Sequence, residues 1–326
     1  MPRILVNTVT NSTNKRNVFI NSAFDFWQRG NSFNLTGQET YTTDRFKTES
    51  GGSGISVDTT RETDVPTDEF LYSIKLTSTG TETSARIVQA IEAANIRQLI
   101  GKTVTFSCWV KSSNITSLTL AQWTPTNGLD DWVAAARITA NTQQGSNEFL
   151  DVTTSWTRVS YTFTVPAAAS DGFAISLATT AGSSQEFLTT GWMLHEGLQP
   201  IDFQRAGANI QDELAMCQRY YQDIRATTTA PLGYATRQTG AEYSVSIPIA
   251  ASMRTTPTPG FISGSAAGDF RLTDDVGTTL VGLSLGGMRS ASSTQMIIIF
   301  TTTASGGVSG IFRTQGLAGL TFDSEL

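Results

Sequence analysis

The stretch Arg158-Val159-Ser160-Tyr161-Thr162-Phe163-Thr164-Val165 decides the fold. Its apolar and aromatic side chains stand at every second position, and a period of two puts them all on one face of a strand. Pro166 follows at once, and a residue with no amide hydrogen cannot continue a sheet ladder. The same pattern recurs in Tyr72-Ser73-Ile74-Lys75-Leu76, in Val104-Thr105-Phe106-Ser107-Cys108-Trp109-Val110 and in Tyr243-Ser244-Val245-Ser246-Ile247-Pro248-Ile249. Gln295 to Phe300 reads as a fully buried strand. Gly51-Gly52-Ser53-Gly54, Thr126-Asn127-Gly128 and Ala181-Gly182-Ser183-Ser184 mark turns between such runs. Ile91 to Ile100 is expected to form a short helical turn ended by Gly101. Many short strands without helices between them predict an all-β chain of antiparallel sheets, packed as a sandwich or jelly roll.

Composition agrees with that reading. Charged residues make up 15% of the chain, against about 25% in an average soluble domain. Ser, Thr and Gly fill the difference, and Thr, Val and Ile suit a pleated surface better than a helix. The 326 residues suggest roughly two domains at about 150 residues each. The net charge of −6 and the lack of a basic cluster argue against nucleic-acid binding. The apolar run Met296-Ile297-Ile298-Ile299-Phe300 is far too short to span a bilayer, so no membrane insertion is expected. Met1 to Arg16 has no apolar core of the signal-peptide kind, which places folding in a cytoplasm. Cys108 and Cys217 have no metal-ligand spacing and are expected to be buried, reduced thiols. The three Asn-x-Ser/Thr sites, at Asn11, Asn34 and Asn114, read as chance in a Thr-rich chain without a secretory signal.

One segment breaks the β pattern. From Asn209 to Ile224 the residues Ile210, Leu214, Cys217, Tyr221 and Ile224 recur at alternating spacings of four and three, a heptad-like seam on a helix. Asn209 can cap its start, with Asp212 and Glu213 in the first turn. A helix of that length is not stable alone. Its seam either lies against its own domain or serves as an oligomer interface. The predicted organisation is therefore an N-terminal arm over 1–16, a β domain over 17–205, a linking helix over 206–224 and a smaller β-sandwich over 225–326.

Several strings carry a family resemblance. They are Asn17-Val18-Phe19-Ile20-Asn21-Ser22-Ala23-Phe24-Asp25-Phe26-Trp27-Gln28-Arg29-Gly30, Tyr41-Thr42-Thr43-Asp44-Arg45-Phe46 and Ile100-Gly101-Lys102-Thr103-Val104. With them go Trp156-Thr157-Arg158, Gly191-Trp192-Met193-Leu194-His195-Glu196-Gly197, Glu213-Leu214-Ala215-Met216-Cys217-Gln218-Arg219-Tyr220-Tyr221-Gln222 and Phe322-Asp323-Ser324-Glu325-Leu326. In this order they resemble phage and prophage tail-fibre proteins. The resemblance implies a jelly roll like that of carbohydrate-binding modules, followed by a helix and a distal β-sandwich. It also implies membership of a homotrimeric virion appendage, with other virion tail or baseplate proteins and host cell-surface glycan as partners. No calcium-ligand run stands near the start of the first domain. No cofactor or metal is expected.

Catalysis finds little footing in the sequence. The chain has one histidine, His195, so any Ser-His-Asp site must use it as the base. Gly282-Leu283-Ser284-Leu285-Gly286 matches the nucleophile-elbow pattern, yet that motif needs a strand-to-helix turn and a histidine after the serine. There is no zinc motif and no phosphate-cradling glycine loop before a helix. Two carboxylates could serve a glycosidase, but no internal repeat of the kind that builds a parallel β-helix is present. The expectation is a non-enzymatic structural and adhesion component of a phage tail. A capsid decoration or head-fibre protein and a glycan-cleaving tailspike are the alternatives. The candidate glycan residues are Trp123, Trp132, Asn127, Asp130 and Asp131, where two tryptophans flank a polar loop. Trp109, Trp156 and Trp192 are expected within strands, packed in the core.

Overall fold

Val104, Phe106, Cys108 and Val110 are buried, while Trp109 and Lys111 on the same strand are only partly covered. That alternation builds the first sandwich. The structure is a computed structural model. It describes residues 16–326 except 38, 52–55, 80, 83, 134–136, 180–181, 227–230, 239–240, 262–268, 275–278, 282–283, 292–294, 302–308 and 315–317. The arm over 1–16 lies outside these residues except for Arg16, and so do Asn11, most of the Gly51–Gly54 turn and Ala181.

In chain order the first sandwich starts with β1 (Ser32–Thr36), β2 (Glu39–Tyr41), β3 (Lys47–Gly51), β4 (Ser56–Glu62), β5 (Ser73–Thr79), β6 (Thr81–Glu82) and β7 (Ser84–Ile91). A short helix, α1 (Ala93–Ile96), and a 3-10 turn follow. Gly101 comes just after them at φ +74, a left-handed conformation that glycine adopts without a Cβ penalty. The sandwich continues with β8 (Thr103–Lys111), β9 (Ser117–Thr124), β10 (Thr142–Asp151), β11 (Thr157–Thr164), β12 (Phe173–Thr179), β13 (Gly182–Ser183) and β14 (Glu186–Glu196).

One six-stranded sheet has the order β1-β4-β5-β14-β8-β11 and the other the order β10-β9-β12-β7-β3-β2; β13 and β6 form a small ribbon. All the strand pairs are antiparallel. The chain crosses repeatedly from one sheet to the other, which gives a jelly roll. Between the sheets Trp192 meets Phe19, Phe46 and Phe106 edge-on at centroid distances of 5.6, 5.3 and 5.3 Å, the geometry that aromatic quadrupoles favour.

The linking helix is shorter than its seam suggests. Asn209 Oδ1 accepts from Gln211 N (2.9 Å) and Asp212 N (3.0 Å), and α2 (Ile210–Gln218) starts there as expected. It then stops, and residues Tyr221–Ala226 form strand β15. Two adjacent tyrosines with a ready partner strand favour a ladder over another helical turn. The seam is thereby divided. Cys217 is fully buried with Ile20, Ala206 and Tyr220, Leu214 is half-buried, and Ile210 is exposed. Tyr221 and Ile224 belong to a sheet, so the five do not form one helical interface.

The second sandwich begins at β15, earlier than position 225. It continues with β16 (Pro231–Arg237), β17 (Glu242–Pro248), β18 (Thr258–Phe261), β19 (Phe270–Asp274), β20 (Thr279–Val281), β21 (Ser284–Ala291), β22 (Gln295–Thr301), β23 (Gly310–Thr314) and β24 (Ala318–Asp323). A three-stranded sheet, β15-β24-β18, lies on a seven-stranded one, β20-β19-β23-β16-β17-β22-β21. Met296, Ile298 and Phe300 enter the core, while Ile297 and Ile299 on the same strand remain partly exposed. The Gln295–Phe300 strand is therefore buried on one face only.

Candidate functional site

The expected glycan loop does not present its tryptophans to a ligand. Trp123 lies in β9, and its indole Nε1 donates to Ser176 Oγ at 2.9 Å. With Trp132, Ile138, Val88 and Leu326 it forms a satellite core on the outer side of the β9-β12-β7 sheet. Both rings are more than nine-tenths buried, so neither has a free face on which a sugar could stack. Asp130 is structural too, since its Oδ1 accepts from Ala93 N at 2.8 Å and so caps α1. Asn127 and Asp131 are exposed but stand beside no open ring of that pair. The loop closes the sandwich end.

Three of the strings that carry the tail-fibre resemblance meet instead at the junction of the two sandwiches, joined there by the C-terminal one. Arg29 lies over the Tyr221 ring at 3.6 Å from its centroid. It reaches Asp323 Oδ2 at 3.1 Å, Glu325 Oε1 at 3.3 Å and Asp44 Oδ1 at 3.8 Å. Arg45 lies over Tyr220 at 3.4 Å, pairs with Glu325 and donates to the Ala90 carbonyl at 2.8 Å. Gln28 Nε2 bridges Asp44 Oδ2 (2.7 Å) and the Tyr221 carbonyl (3.0 Å). Tyr41 donates to the Leu326 carbonyl at 2.8 Å. Ser324, Glu325 and Leu326 leave the second sandwich and run onto the first, where Leu326 packs beside Trp132.

This clasp is buried and electrically crowded. Burial pushes the Asp44 carboxyl up to about 6 against the pull of Arg29, and the Tyr221 hydroxyl up to about 12. Charges out of water are tolerable only when paired and hydrogen-bonded, and cation–π contact adds about 0.5–2 kcal/mol per arginine–tyrosine pair. The sequence held the residues but not their meeting, because they lie in strings separated by most of the chain.

A second locus lies on the outer side of the β8-β14-β5 sheet. The sequence pattern placed Trp156 within a strand and in the core, but it precedes β11 and is only partly buried. Its Nε1 donates to Asp64 Oδ1 at 2.8 Å, and Lys111 Nζ holds Asp64 Oδ2 at 2.6 Å. The Lys111 ammonium keeps the Asp64 carboxyl below the usual carboxylate range. The Asp64 carbonyl accepts from Ser73 Oγ at 2.7 Å. Lys75 pairs with Glu186 at 2.8 Å on the same outer side, whereas Arg61, 4.5 Å over the Tyr72 ring, stands opposite the buried Ile74 and belongs to the other face. Aromatic rings fixed in place beside charged hydrogen-bonding groups can stack on the apolar face of a sugar and satisfy its hydroxyls. The available signal was the turn Thr153-Thr154-Ser155, which places Trp156 at a strand entrance. Trp192 is in the core as expected, and Trp109 is half-buried on this outer face.

No protein-family model matches the chain, and no curated protein does. Similarity is found among solved structures. The enzymatically active domain of tailspike protein 4 of bacteriophage CBA120 aligns with a TM-score of 0.37 and 15% identity over 56% of this chain. The aligned part spans 21% of that tailspike chain. The family 11 carbohydrate-binding module of a cellulosomal cellulase of Clostridium thermocellum gives a TM-score of 0.34 and 12% identity, covering 52% of this chain and 98% of the module. A xylan-binding domain from Paenibacillus barcinonensis gives 0.31 and 14%, covering 52% of this chain and 95% of that one.

His195 lies in β14 with its Nε2 3.0 Å from the Gln199 carbonyl, and burial lowers its pKa. Ser284 opens strand β21, so the Gly-x-Ser-x-Gly string is not followed by the helix that a nucleophile elbow requires. Among the described residues no group of His, Cys, Asp and Glu is arranged to hold a metal ion, and no helix is long and apolar enough to cross a membrane.

Proposed function

We propose that this chain is a non-enzymatic structural and adhesion subunit of a phage tail, which binds host surface glycan through the Trp156 platform and assembles as a symmetric homo-oligomer. The observation that carries the adhesion reading is the partly exposed Trp156 ring, fixed by Asp64 and Lys111 on the outer side of the first sandwich. A ring held in place before binding loses little entropy on contact, and that favours recognition by stacking. The tail assignment rests on the resemblance of the sequence strings, and the clasp gives that resemblance a physical content. It joins two β domains through buried charges, which suits a subunit that transmits force between an anchored end and a bound surface.

Three-fold symmetry is the expectation that the resemblance brings. Weak glycan sites gain from it, since linked binding multiplies avidity. Trp156→Ala should weaken adsorption of the purified full chain to host envelope polysaccharide by about tenfold, or ~1.4 kcal/mol. Equal adsorption by the variant would remove the platform from the reading. Antibody labelling of virions in micrographs tests the tail location, and label on the capsid would favour a head fibre. Light scattering of the full chain tests assembly, and a monomer at micromolar concentration would exclude the oligomer.

A further inference from the structure

The seven-stranded sheet of the second sandwich has one face turned away from its core. Phe270, Leu272 and Phe312 point inward from β19 and β23, and the residues between them point out. Among these, Arg271 and Arg313 stand directly opposite each other. Opposed side chains on antiparallel strands have Cβ atoms about 4.5–5.5 Å apart, and like charges there are destabilising. Neither arginine takes part in an ion pair among the described residues, and the Nε of each is shielded from water without a hydrogen-bond partner. In a chain of net charge −6, two opposed arginines with no ion pair among the described residues are a local exception.

Tyr234 lies on the same face. It stands opposite Ile311, two residues from Arg313, and is 50% exposed. A diagonal neighbour across a strand pair lies within about 7–8 Å, in reach of long side chains. Guanidinium groups take carboxylate or sulfate oxygens in paired hydrogen bonds, and an open tyrosine ring takes the apolar face of a sugar.

We propose that this open face binds an acidic polysaccharide, with Arg271 and Arg313 sharing one anionic group and Tyr234 carrying the adjoining sugar ring. A second copy of the chain fits the face less well. Stable protein interfaces bury about 800 Å² per partner around an apolar centre. Here Ile297, Ile299 and Ile311 are already partly covered, and Tyr234 is the one large hydrophobic side chain of the second sandwich that is strongly exposed among the described residues. The site is in a different domain from Trp156 and can fail or stand independently of the platform.

The test uses the full chain with polygalacturonate as the acidic probe and dextran of similar length as the neutral one. At low salt the protein should bind polygalacturonate at least about tenfold more tightly than dextran, and the preference should shrink as salt screens it. Arg271→Gln and Arg313→Gln should each lose about tenfold in polygalacturonate binding, and Tyr234→Ala several-fold. Lys102→Gln, which removes an exposed cation of the first sandwich, should change nothing. Removing the opposed charges should leave the melting temperature unchanged or raise it. Arg313→Lys keeps the charge without the planar fork and should retain the fold while binding about threefold more weakly. Wild-type binding by the arginine variants would overturn the proposal. So would a melting temperature lowered by both glutamine variants, or a change of oligomeric state on substitution, which would assign the face to packing between copies.

Discussion

Arg45 and Glu325 form an ion pair across 280 positions of the chain, with side chains only 1% and 4% exposed. Through that contact the last residues of the second sandwich become part of the first. Arg29 reinforces it from the side by pairing with both Glu325 and Asp323. The two arginines lie over adjacent tyrosines, Tyr220 and Tyr221.

Breaking this pair from one side leaves a buried charge without its partner. Arg45→Ala should destabilise the chain by about 3–5 kcal/mol. Deletion of residues 324–326 should go further and uncouple the sandwiches, so that calorimetry resolves two transitions in place of one. A single unchanged transition in the truncated chain would show that the clasp does not couple the domains.

Asp44 gives the clasp a pH dependence of defined sign. Burial raises its carboxyl from the ordinary 3.8 to about 6 in the folded state. Between those values the folded chain holds more protons than the unfolded one, so stability falls as pH rises. The contribution is fully present below about pH 4 and is lost as pH passes through 6, with a span of about 3 kcal/mol. Burial also raises the Asp25 and Glu213 carboxyls, and they act in the same direction. Urea midpoints measured from pH 4.5 to 6.5 should fall, and Asp44→Asn should flatten that slope. An identical slope in the variant would place the titration elsewhere.

The tryptophans should divide sharply. Trp192→Ala empties the centre of the first sandwich and should cost about 3–5 kcal/mol. Trp156→Ala removes a half-exposed ring and one hydrogen bond and should cost about 1 kcal/mol. Denaturant unfolding of both variants measures the contrast. Equal losses would mean that Trp156 serves the fold and not a surface.

Cys108 and Cys217 are both buried and unpaired, and burial raises both thiols above their ordinary range. Thiolate is the reactive form. A thiol reagent at pH 8 should therefore modify neither cysteine in the folded chain and both in denaturant. Rapid modification without unfolding would contradict the burial.

The all-β class and the strands around Phe106, Phe163 and Val245 were legible in the sequence, because a period of two maps directly onto the two faces of a strand. The start of α2 was legible for a similarly local reason, since Asn209 caps its own helix. Where α2 stops was not. Continuing as helix or turning into a strand at Tyr221 depends on β24 pairing alongside, and β24 lies about a hundred residues later in the chain. The burial of Trp123 and Trp132 likewise depended on which segment came to cover the outer face of the sheet. That segment includes Leu326, at the far end of the sequence. Arg29, Asp44, Arg45, Tyr220, Tyr221 and Glu325 were all visible as residues in resembling strings. Only the folded chain brought them together, because charge pairing and aromatic contact act through distance in space and leave no period along the sequence.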